Sequence, residues 1–230
     1  MRDKSGEKTL ESMSQAVWYN QWTLKKFSSF LRGEILEVGC GIGNFTPFLT
    51  EYGKVWAIDI DRRYVNQTKR TLGDKAKVGY GDIERGEYFF KKKFDGIVCL
   101  NVLEHIQDDK KALKNLYKLL NPNGYLILLV PSHQYLFGEI DKSIGHFRRY
   151  SQKQLEDNLK KIGFKLIKST ILNFLGSIGW FIEGKLFKKR KIEEGRIKIF
   201  NFLAPFFLGI ENLIEPPIGT SILVIAQRKL

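Results

Sequence analysis

Residues 34–46 join a short apolar run to three glycines at alternate positions. Glu34–Val38 is typical of a buried parallel strand, because such strands are rich in Val, Ile and Leu. Gly39, Gly41 and Gly43 can reach positive φ and let a ligand approach the backbone closely. A strand, a glycine turn and a helix start together form the nucleotide-binding corner of doubly wound α/β sheets, so this stretch predicts that fold class.

One carboxylate makes this turn unusual among nucleotide sites. Glu37 lies two residues before the first glycine. A carboxylate at that place would repel a pyrophosphate, but it would suit a ligand that carries a cation or an amine. The two cysteines, Cys40 and Cys99, lie in apolar strand contexts without the spacing of metal ligands. They predict free buried thiols in a reducing compartment, and we predict no metal site.

Acidic residues follow the next two predicted strands, 54–60 and 76–80. Asp59 comes twenty residues after Gly39, where a carboxylate can accept two hydrogen bonds from a ribose diol. Asp61 fits the N-cap of a helix over 62–72. Asp82 and Ile83 could bond an adenine amino group and cover the ring, although Gly81–Asp82 could equally be a simple turn.

The rest of the chain continues the alternation of strands and helices. Strands are predicted at 94–100, 125–130, 164–172 and 220–227, and helices at 45–52, 108–120 and 152–162, the last capped by Ser151. Residues 13–31 predict amphipathic helices before the first strand. The stretch 132–150 is polar, aromatic and glycine-containing, which is typical of a functional loop.

Four motifs in this order resemble those of class I methyltransferases that use S-adenosylmethionine. The resemblance covers roughly residues 30–135 and the terminal strand pair, and it implies a seven-stranded sheet whose last strand is antiparallel. Its motifs are the turn 37–43, Asp59, 81–83 and Asn101-Val-Leu-Glu-His105. A nicotinamide-dependent enzyme is disfavoured, since its glycines usually follow G-x-G-x-x-G. The implied cofactor contacts are Glu37, Gly39, Cys40, Gly41, Gly43, Asn44, Asp59, Ile60, Asp82, Ile83, Leu100 and Asn101.

The catalytic candidates are side chains near the cleft that could accept a proton or hold an anionic acceptor. His105 matches the family's Leu-Glu-His signature, and a base role and a packing role are weighed equally. His146 lies in a Gly-His-Phe-Arg-Arg-Tyr block that resembles one in a bacterial subgroup linked to sugar, lipid or envelope biosynthesis. Arg148 and Arg149 could bind a phosphate or carboxylate, or could pin the loop through Asp141 or Glu139. Asp141 and Tyr150 are secondary candidates.

Charge and apolar content point to the partners. The net charge of +13 favours an anionic partner, and 11 Lys/Arg fall between 160 and 198. The basic segment 174–216 also carries many aromatic residues, which is typical of peripheral contact with an anionic membrane. A dimer interface and packing on the sheet are the alternatives, and nucleic acid is less favoured. We predict a cytoplasmic protein without a membrane-spanning helix.

The combined prediction is a single domain over 1–230. It comprises a helical cap (13–31), a Rossmann-like core (32–172 and 219–230) and an apolar, basic insertion (173–218). The predicted activity is methyl transfer from S-adenosyl-L-methionine, which leaves S-adenosyl-L-homocysteine, to a small anionic acceptor linked to a sugar or lipid. RNA methylation and cofactor binding without catalysis are the alternative functions.

Overall fold

Eight strands form one mixed sheet in the computed structural model, which describes residues 17–180, 206–211 and 216–229. The spatial order is β4-β3-β2-β1-β5-β6-β8-β7. The strands are β1 (Glu34–Val38), β2 (Lys54–Asp59), β3 (Ala76–Asp82), β4 (Glu87–Tyr88), β5 (Phe94–Leu100), β6 (Leu120–Pro131), β7 (Phe164–Leu172) and β8 (Ser221–Arg228).

The direction of the strands agrees with the predicted sheet. Strands β3, β2, β1, β5 and β6 are parallel neighbours. The last strand, β8, lies antiparallel between β6 and β7. The seven predicted strands are therefore confirmed, including the antiparallel one. The additional strand, β4, has only two residues and pairs as a hairpin with the end of β3.

Seven labelled helices connect or flank the described strands. They are α1 (Val17–Lys25), α2 (Thr46–Leu49), α3 (Arg62–Leu72), α4 (Asp109–Leu119), α5 (Glu139–Ser143), α6 (Gln152–Ile162) and α7 (Phe174–Trp180). Asp61 accepts a hydrogen bond from the Arg63 amide, and Ser151 accepts one from the Gln154 amide. Both predicted N-caps are thus confirmed. Gly163, with φ of 114°, ends α6.

The core consists of two apolar layers, one on each face of the sheet. Neighbouring residues of β1 divide between them, since Leu36 and Val38 belong to one layer and Ile35 to the other. Helices α4 and α6 contribute leucines to the first layer, whereas α1 and α3 contribute to the second. The carboxyl ends of the parallel strands are left to the connecting loops, which is where sheets of this kind bind ligands.

The N-terminal aromatic residues are part of the core. Tyr19 and Trp22 of α1 are buried in the second layer. The Trp22 indole nitrogen donates a hydrogen bond of 3.0 Å to the carbonyl oxygen of Leu208. Thus α1 packs against residues 206–211. The start of the predicted cap (13–16) and most of the insertion (181–205 and 212–215) lie outside the described residues. Among those described, no helix has the length and apolar content to cross a bilayer.

Two stretches differ from the predicted elements. Strand β6 begins at Leu120, since Leu120 already pairs with Phe94 and an irregularity follows before Gly96. The stretch 132–150 contains α5 and a 3₁₀ turn (Gln134–Leu136) where only loop was predicted. Its ends close on each other through a bridge between Ser132 and Tyr150. The predicted functional loop is therefore a folded unit on the end of β6.

Candidate functional site

The glycine turn is fastened to its neighbours by backbone hydrogen bonds. The amides of Gly39 and Cys40 both donate to the Ile58 carbonyl oxygen, at 2.8 and 3.0 Å. The Thr68 hydroxyl of α3 donates to the Gly41 carbonyl oxygen at 2.8 Å. Glycines 39, 41 and 43 have φ of 76°, 52° and 88°. These values lie in the left-handed region, so the alternate glycines meet a conformational requirement.

The first glycine also makes room for the segment after β5. A Cβ atom at Gly39 would overlap the side chain of Val102. Val102 belongs to the predicted Asn101–His105 motif, so this motif lies directly against the glycine turn. Asn101 has φ of 54°, and its amide donates to the Leu129 carbonyl oxygen at 2.7 Å. The two predicted cofactor motifs are therefore neighbours at one edge of the sheet.

Glu37 is a buried carboxyl group with an unsatisfied oxygen. Only 5% of the residue is exposed, and its Oε2 has no hydrogen-bond partner among the described residues. Burial, together with the Asp59 carboxylate, raises the pKa of Glu37 to about 8, although the Thr46 hydroxyl acts in the opposite direction. A ligand ammonium group would satisfy the unpaired Oε2, so the site fits the predicted amine-bearing cofactor.

Asp59 holds the turn together in this structure. Its Oδ2 accepts a hydrogen bond of 2.9 Å from the Gly41 amide, and its Oδ1 accepts one of 2.8 Å from the Asp61 amide. Each carboxylate oxygen has two lone pairs, so both can accept a further bond from a ligand. Burial raises the pKa of Asp59. The next residue, Ile60, is 65% exposed, which leaves an apolar side chain beside the carboxylate.

Asp82 stabilises the turn that follows β3, and Ile83 packs into the core beside it. The Asp82 Oδ1 accepts from the amides of Glu84 and Arg85, at 2.9 and 3.0 Å. Ile83 is buried in the first core layer. These contacts match the turn alternative as well as the adenine-binding one, and the adenine role stays a prediction.

Asp141 is the centre of a second cluster, formed by the loop after β6. Its Oδ1 lies 3.0 Å from His146 Nδ1 and accepts a hydrogen bond of 2.8 Å from Arg149 Nε. Its Oδ2 accepts from the Gly138 amide at 2.9 Å. Burial alone would raise the pKa of Asp141, but His146 and Arg149 hold it below its usual range. The carboxylate is therefore ionised and fixes both side chains.

Glu104 joins this cluster from the segment after β5. It is fully buried, and neither carboxyl oxygen has a hydrogen-bond partner in the described part of the chain. The basic side chain next to it is His146, whose Nε2 lies 3.7 Å from Glu104 Oε1. Burial raises the pKa of Glu104 to about 8 against the opposing effect of Arg149. The exposed His105 presents its ring edge-on to His146, with centroids 4.6 Å apart.

The remaining predicted residues of the block make ion pairs and polar contacts. Arg149 and Asp141 are both buried, and Arg149 also donates to the Ser132 carbonyl oxygen at 3.2 Å. Arg148 lies 3.0 Å from Asp109 Oδ1. The Tyr150 hydroxyl lies 3.0 Å from Asp109 Oδ2. This geometry matches the alternative in which the arginines pin the loop, and their binding of an acceptor stays a prediction.

The sequence motifs located most of this site but gave Glu104 and Asp109 no role. Glu104 stands between a leucine and a histidine in the Leu-Glu-His motif, and this local pattern does not distinguish a buried acid from an exposed one. In the sequence, Asp109 resembles any acidic residue in the first turn of a helix. The structure brings His105, His146, Asp141, Arg148, Arg149 and Tyr150 together beside Glu104.

Comparisons with known proteins agree with this architecture. The profile of a family described as "Methyltransferase domain" matches residues 19–169. An uncharacterized protein of Methanocaldococcus jannaschii is 28% identical over 155 residues, which cover 67% of this chain and 65% of that protein. A ubiquinone biosynthesis O-methyltransferase of Rickettsia conorii is 33% identical over 97 residues, which cover 41% of this chain and 34% of that protein.

A solved structure shares the fold. The N-methyltransferase NodS from Bradyrhizobium japonicum, in complex with S-adenosyl-L-homocysteine, superimposes with a TM-score of 0.57 at 16% identity. The match covers 90% of this chain and 84% of that one. At that identity the likeness concerns the fold alone. The chain spans less than two thirds of the length of the curated relatives described above.

Proposed function

The chain belongs to the methyltransferase domain family, and from that premise we propose that it transfers a methyl group from S-adenosyl-L-methionine to a small-molecule acceptor. The observation that carries the proposal is the unsatisfied, buried Glu37 two residues before a glycine turn. Nucleotide sites that hold a pyrophosphate would exclude an acid there, whereas an ammonium group would pair with it.

The proposed cofactor contacts extend from the turn along the sheet edge. Backbone of the glycine turn would hold the amino-acid part of the cofactor, and Asp59 would accept from its ribose. Asp82 and Ile83 would contact the adenine, and the backbone of Leu100 and Asn101 would line the cleft. When bound, S-adenosylmethionine supplies a methyl group activated by its sulfonium. The protein's own part is to hold the acceptor in line and to exclude water, and orientation of this kind accounts for much of the rate in such displacements.

The second cluster would position the acceptor and take its proton. Asp141 fixes His146 through Nδ1 at 3.0 Å, which leaves Nε2 as the ring atom that can accept a proton. His105 lies beside it and is exposed. Because Val102 contacts the glycine turn, His105 follows the proposed cofactor site by only a few residues, and His146 packs against His105. Proximity of the two clusters supports their joint use.

An open apolar groove beside the loop that carries the second cluster favours an acceptor with an apolar part. Its volume is about 220 Å³, and it lies between the loop after β6 and helix α7. The lining side chains are Tyr135, Leu136, Phe174, Ser177, Ile178 and Ile218. The relative from Rickettsia conorii is named for ubiquinone biosynthesis. Together with the net charge of +13, this supports an anionic acceptor linked to a lipid.

Peripheral contact with an anionic membrane belongs to the same proposal. Phe206 is 70% exposed, and Phe174, Ile178 and Ile210 are exposed as well. Exposed aromatic and aliphatic side chains near lysines favour an interface with lipid headgroups. Sedimentation with vesicles of anionic lipid at low salt tests this contact. Retention of the protein in the supernatant would count against it.

Asp59→Asn tests the cofactor site. The amide removes the negative charge and turns one acceptor into a donor, so we expect affinity for S-adenosylmethionine to fall by about tenfold or more. Titration calorimetry with S-adenosylmethionine and with S-adenosylhomocysteine measures it. Asp61→Asn is the matched control, because Asp61 caps α3 and should leave cofactor affinity unchanged. Equal affinities of wild type and Asp59→Asn would remove the cofactor assignment.

Transfer itself is tested with an isotopically labelled methyl donor. The acceptor panel should contain isoprenoid phenols, phosphorylated sugars, polar lipid extract and total RNA. Label in a small molecule or lipid supports the proposal, while label in RNA would favour the alternative that the positive charge also permits. Cofactor binding without transfer to any acceptor would indicate a binding protein instead of an enzyme.

A further inference from the structure

We propose that Glu104, His105 and His146 bind one divalent transition-metal ion. Each residue offers one ligand atom, and the three atoms all lie within 4.8 Å of one another. His105 and Glu104 come from the segment after β5, whereas His146 comes from the loop after β6. The site therefore forms only when these two segments fold together.

The separations suit coordination after small side-chain movements. His146 Nε2 lies 3.7 Å from Glu104 Oε1. Two ligands at about 2.1 Å from a metal in tetrahedral geometry lie about 3.4 Å apart. The distance between His146 Nε2 and Glu104 Oε1 is thus already close to the separation of two ligands on one metal ion. His105 is an exposed side chain, so its ring can approach without displacing buried residues.

The lack of hydrogen bonds to the buried Glu104 carboxyl group is a second observation that indicates a ligand at this place. Its carboxyl group is fully buried, and within the described ranges neither oxygen has a hydrogen-bond partner. A buried carboxyl group in that condition is costly, because it has lost water and gained nothing in return. Neither Glu104 oxygen accepts a hydrogen bond from Arg149, whose Nε donates to Asp141. A metal ion bound by Glu104 would satisfy its carboxyl group.

Asp141 supplies the support that metal-binding histidines need. Its Oδ1 lies 3.0 Å from His146 Nδ1, which orients the ring so that Nε2 lies toward Glu104. Such carboxylate–histidine–metal arrangements are usual in metal sites. Asp141 is itself held by Arg149 and by the Gly138 amide. The ring of His146 is therefore oriented before any ion arrives.

The local charge also favours a divalent cation. Three carboxylates lie in this region, Glu104, Asp141 and Asp109, and two guanidinium groups, Arg148 and Arg149, pair with two of them. Glu104 is the remaining carboxyl group, and no arginine or lysine of the described residues forms an ion pair with it. A divalent ion bound there would give Glu104 the cationic partner that the arginines give to the other two carboxylates.

The donor set selects the class of metal. Two imidazoles and one carboxylate suit Zn²⁺, Fe²⁺, Co²⁺ or Ni²⁺ better than Mg²⁺ or Ca²⁺, which prefer oxygen ligands. Three protein ligands leave a coordination position open, as in catalytic zinc sites. An acceptor hydroxyl bound there would become more acidic, so His146 would act as a ligand instead of a base. This last consequence rests on the proposed methyl transfer, whereas metal binding does not.

The test uses the full chain without a histidine tag, treated with a chelator and free of cofactor and acceptor. Calorimetric titration with Zn²⁺, and visible absorption during titration with Co²⁺, should each show one equivalent bound. His105→Ala should lower the affinity by about tenfold or more, the scale on which even supporting residues act. His133→Asn is the matched control, because His133 is the remaining histidine and its φ of 59° tolerates asparagine.

Two results would overturn the proposal. One is the absence of stoichiometric binding of both ions to the wild type, and the other is equal affinity in wild type and His105→Ala. Glu104→Gln provides a second check, since it should lose the bound ion and yet keep a cooperative thermal transition. Cofactor affinity measured in the metal-free protein separates the two proposals. Intact cofactor binding without metal binding would leave methyl transfer standing and remove only the metal.

Discussion

Replacing Glu37 by glutamine should remove a large part of the pH dependence of stability between about pH 4.5 and pH 8. Burial raises the pKa of this carboxyl from 4.5 to about 8 in the folded protein. Within that window the folded state keeps a proton that the unfolded state releases. The free energy of unfolding therefore falls as pH rises through the window, and it is constant above it.

The magnitude follows from the size of the pKa difference. Each unit corresponds to about 1.4 kcal/mol, so a change from 4.5 to about 8 costs at most about 5 kcal/mol of stability at alkaline pH. Glutamine has the shape of the protonated acid but cannot ionise. The stability of Glu37→Gln relative to wild type should thus rise steadily from pH 5 to pH 8, by several kcal/mol.

Urea unfolding of both proteins at half-unit steps of pH measures this difference. Other titrating groups cancel when the two curves are subtracted. Glu34→Gln is the matched control on the same strand, since Glu34 is held below its usual pKa by Lys92, 2.6 Å away, and by Trp56. Its difference curve should be flat from pH 5 to pH 8. A flat curve for Glu37→Gln as well would refute the reasoning that burial keeps this acid protonated.

Two further substitutions examine the turn and the second cluster. Gly39→Ala should lower the free energy of unfolding by about 1–3 kcal/mol and weaken cofactor binding, because its Cβ would overlap Val102 at φ of 76°. Adding Val102→Ala should restore part of the stability, measured by urea unfolding, and part of the affinity, measured by calorimetry. Asp141→Asn should cost about 3 kcal/mol at pH 7, since it removes the carboxylate that forms the buried ion pair with Arg149. The two proteins should become similar in acid, where the depressed pKa of Asp141 is crossed and wild type loses the same interaction.

The parts of the fold that depend on short-range pattern were predictable. The apolar run 34–38 and the glycines after it determine a strand and a turn by local preference, and both lie as predicted. The caps of Asp61 and Ser151 likewise depend on residues within three positions. The predicted pairing of the terminal strand with the sixth predicted strand is confirmed by β8 and β7.

The features that depend on distant contacts were not predictable. Strand β4 has two residues, too few to show an alternation, and pairing with the end of β3 creates it. Helix α5 is short and polar, and contacts of Asp141 with His146 and Arg149 stabilise it. The burial of Glu104 arises where two loops meet, which no window of sequence reveals.

The position of β8 has a consequence for the time course of synthesis. Among the described strands, β7 pairs with β8 alone, and β8 lies between it and β6. About fifty residues separate the end of β7 from the start of β8. At about 5–20 residues per second, a ribosome takes several seconds to make that interval. Until β8 is made, β6 lacks its partner on one side, so the nascent chain exposes a strand edge that the finished sheet covers.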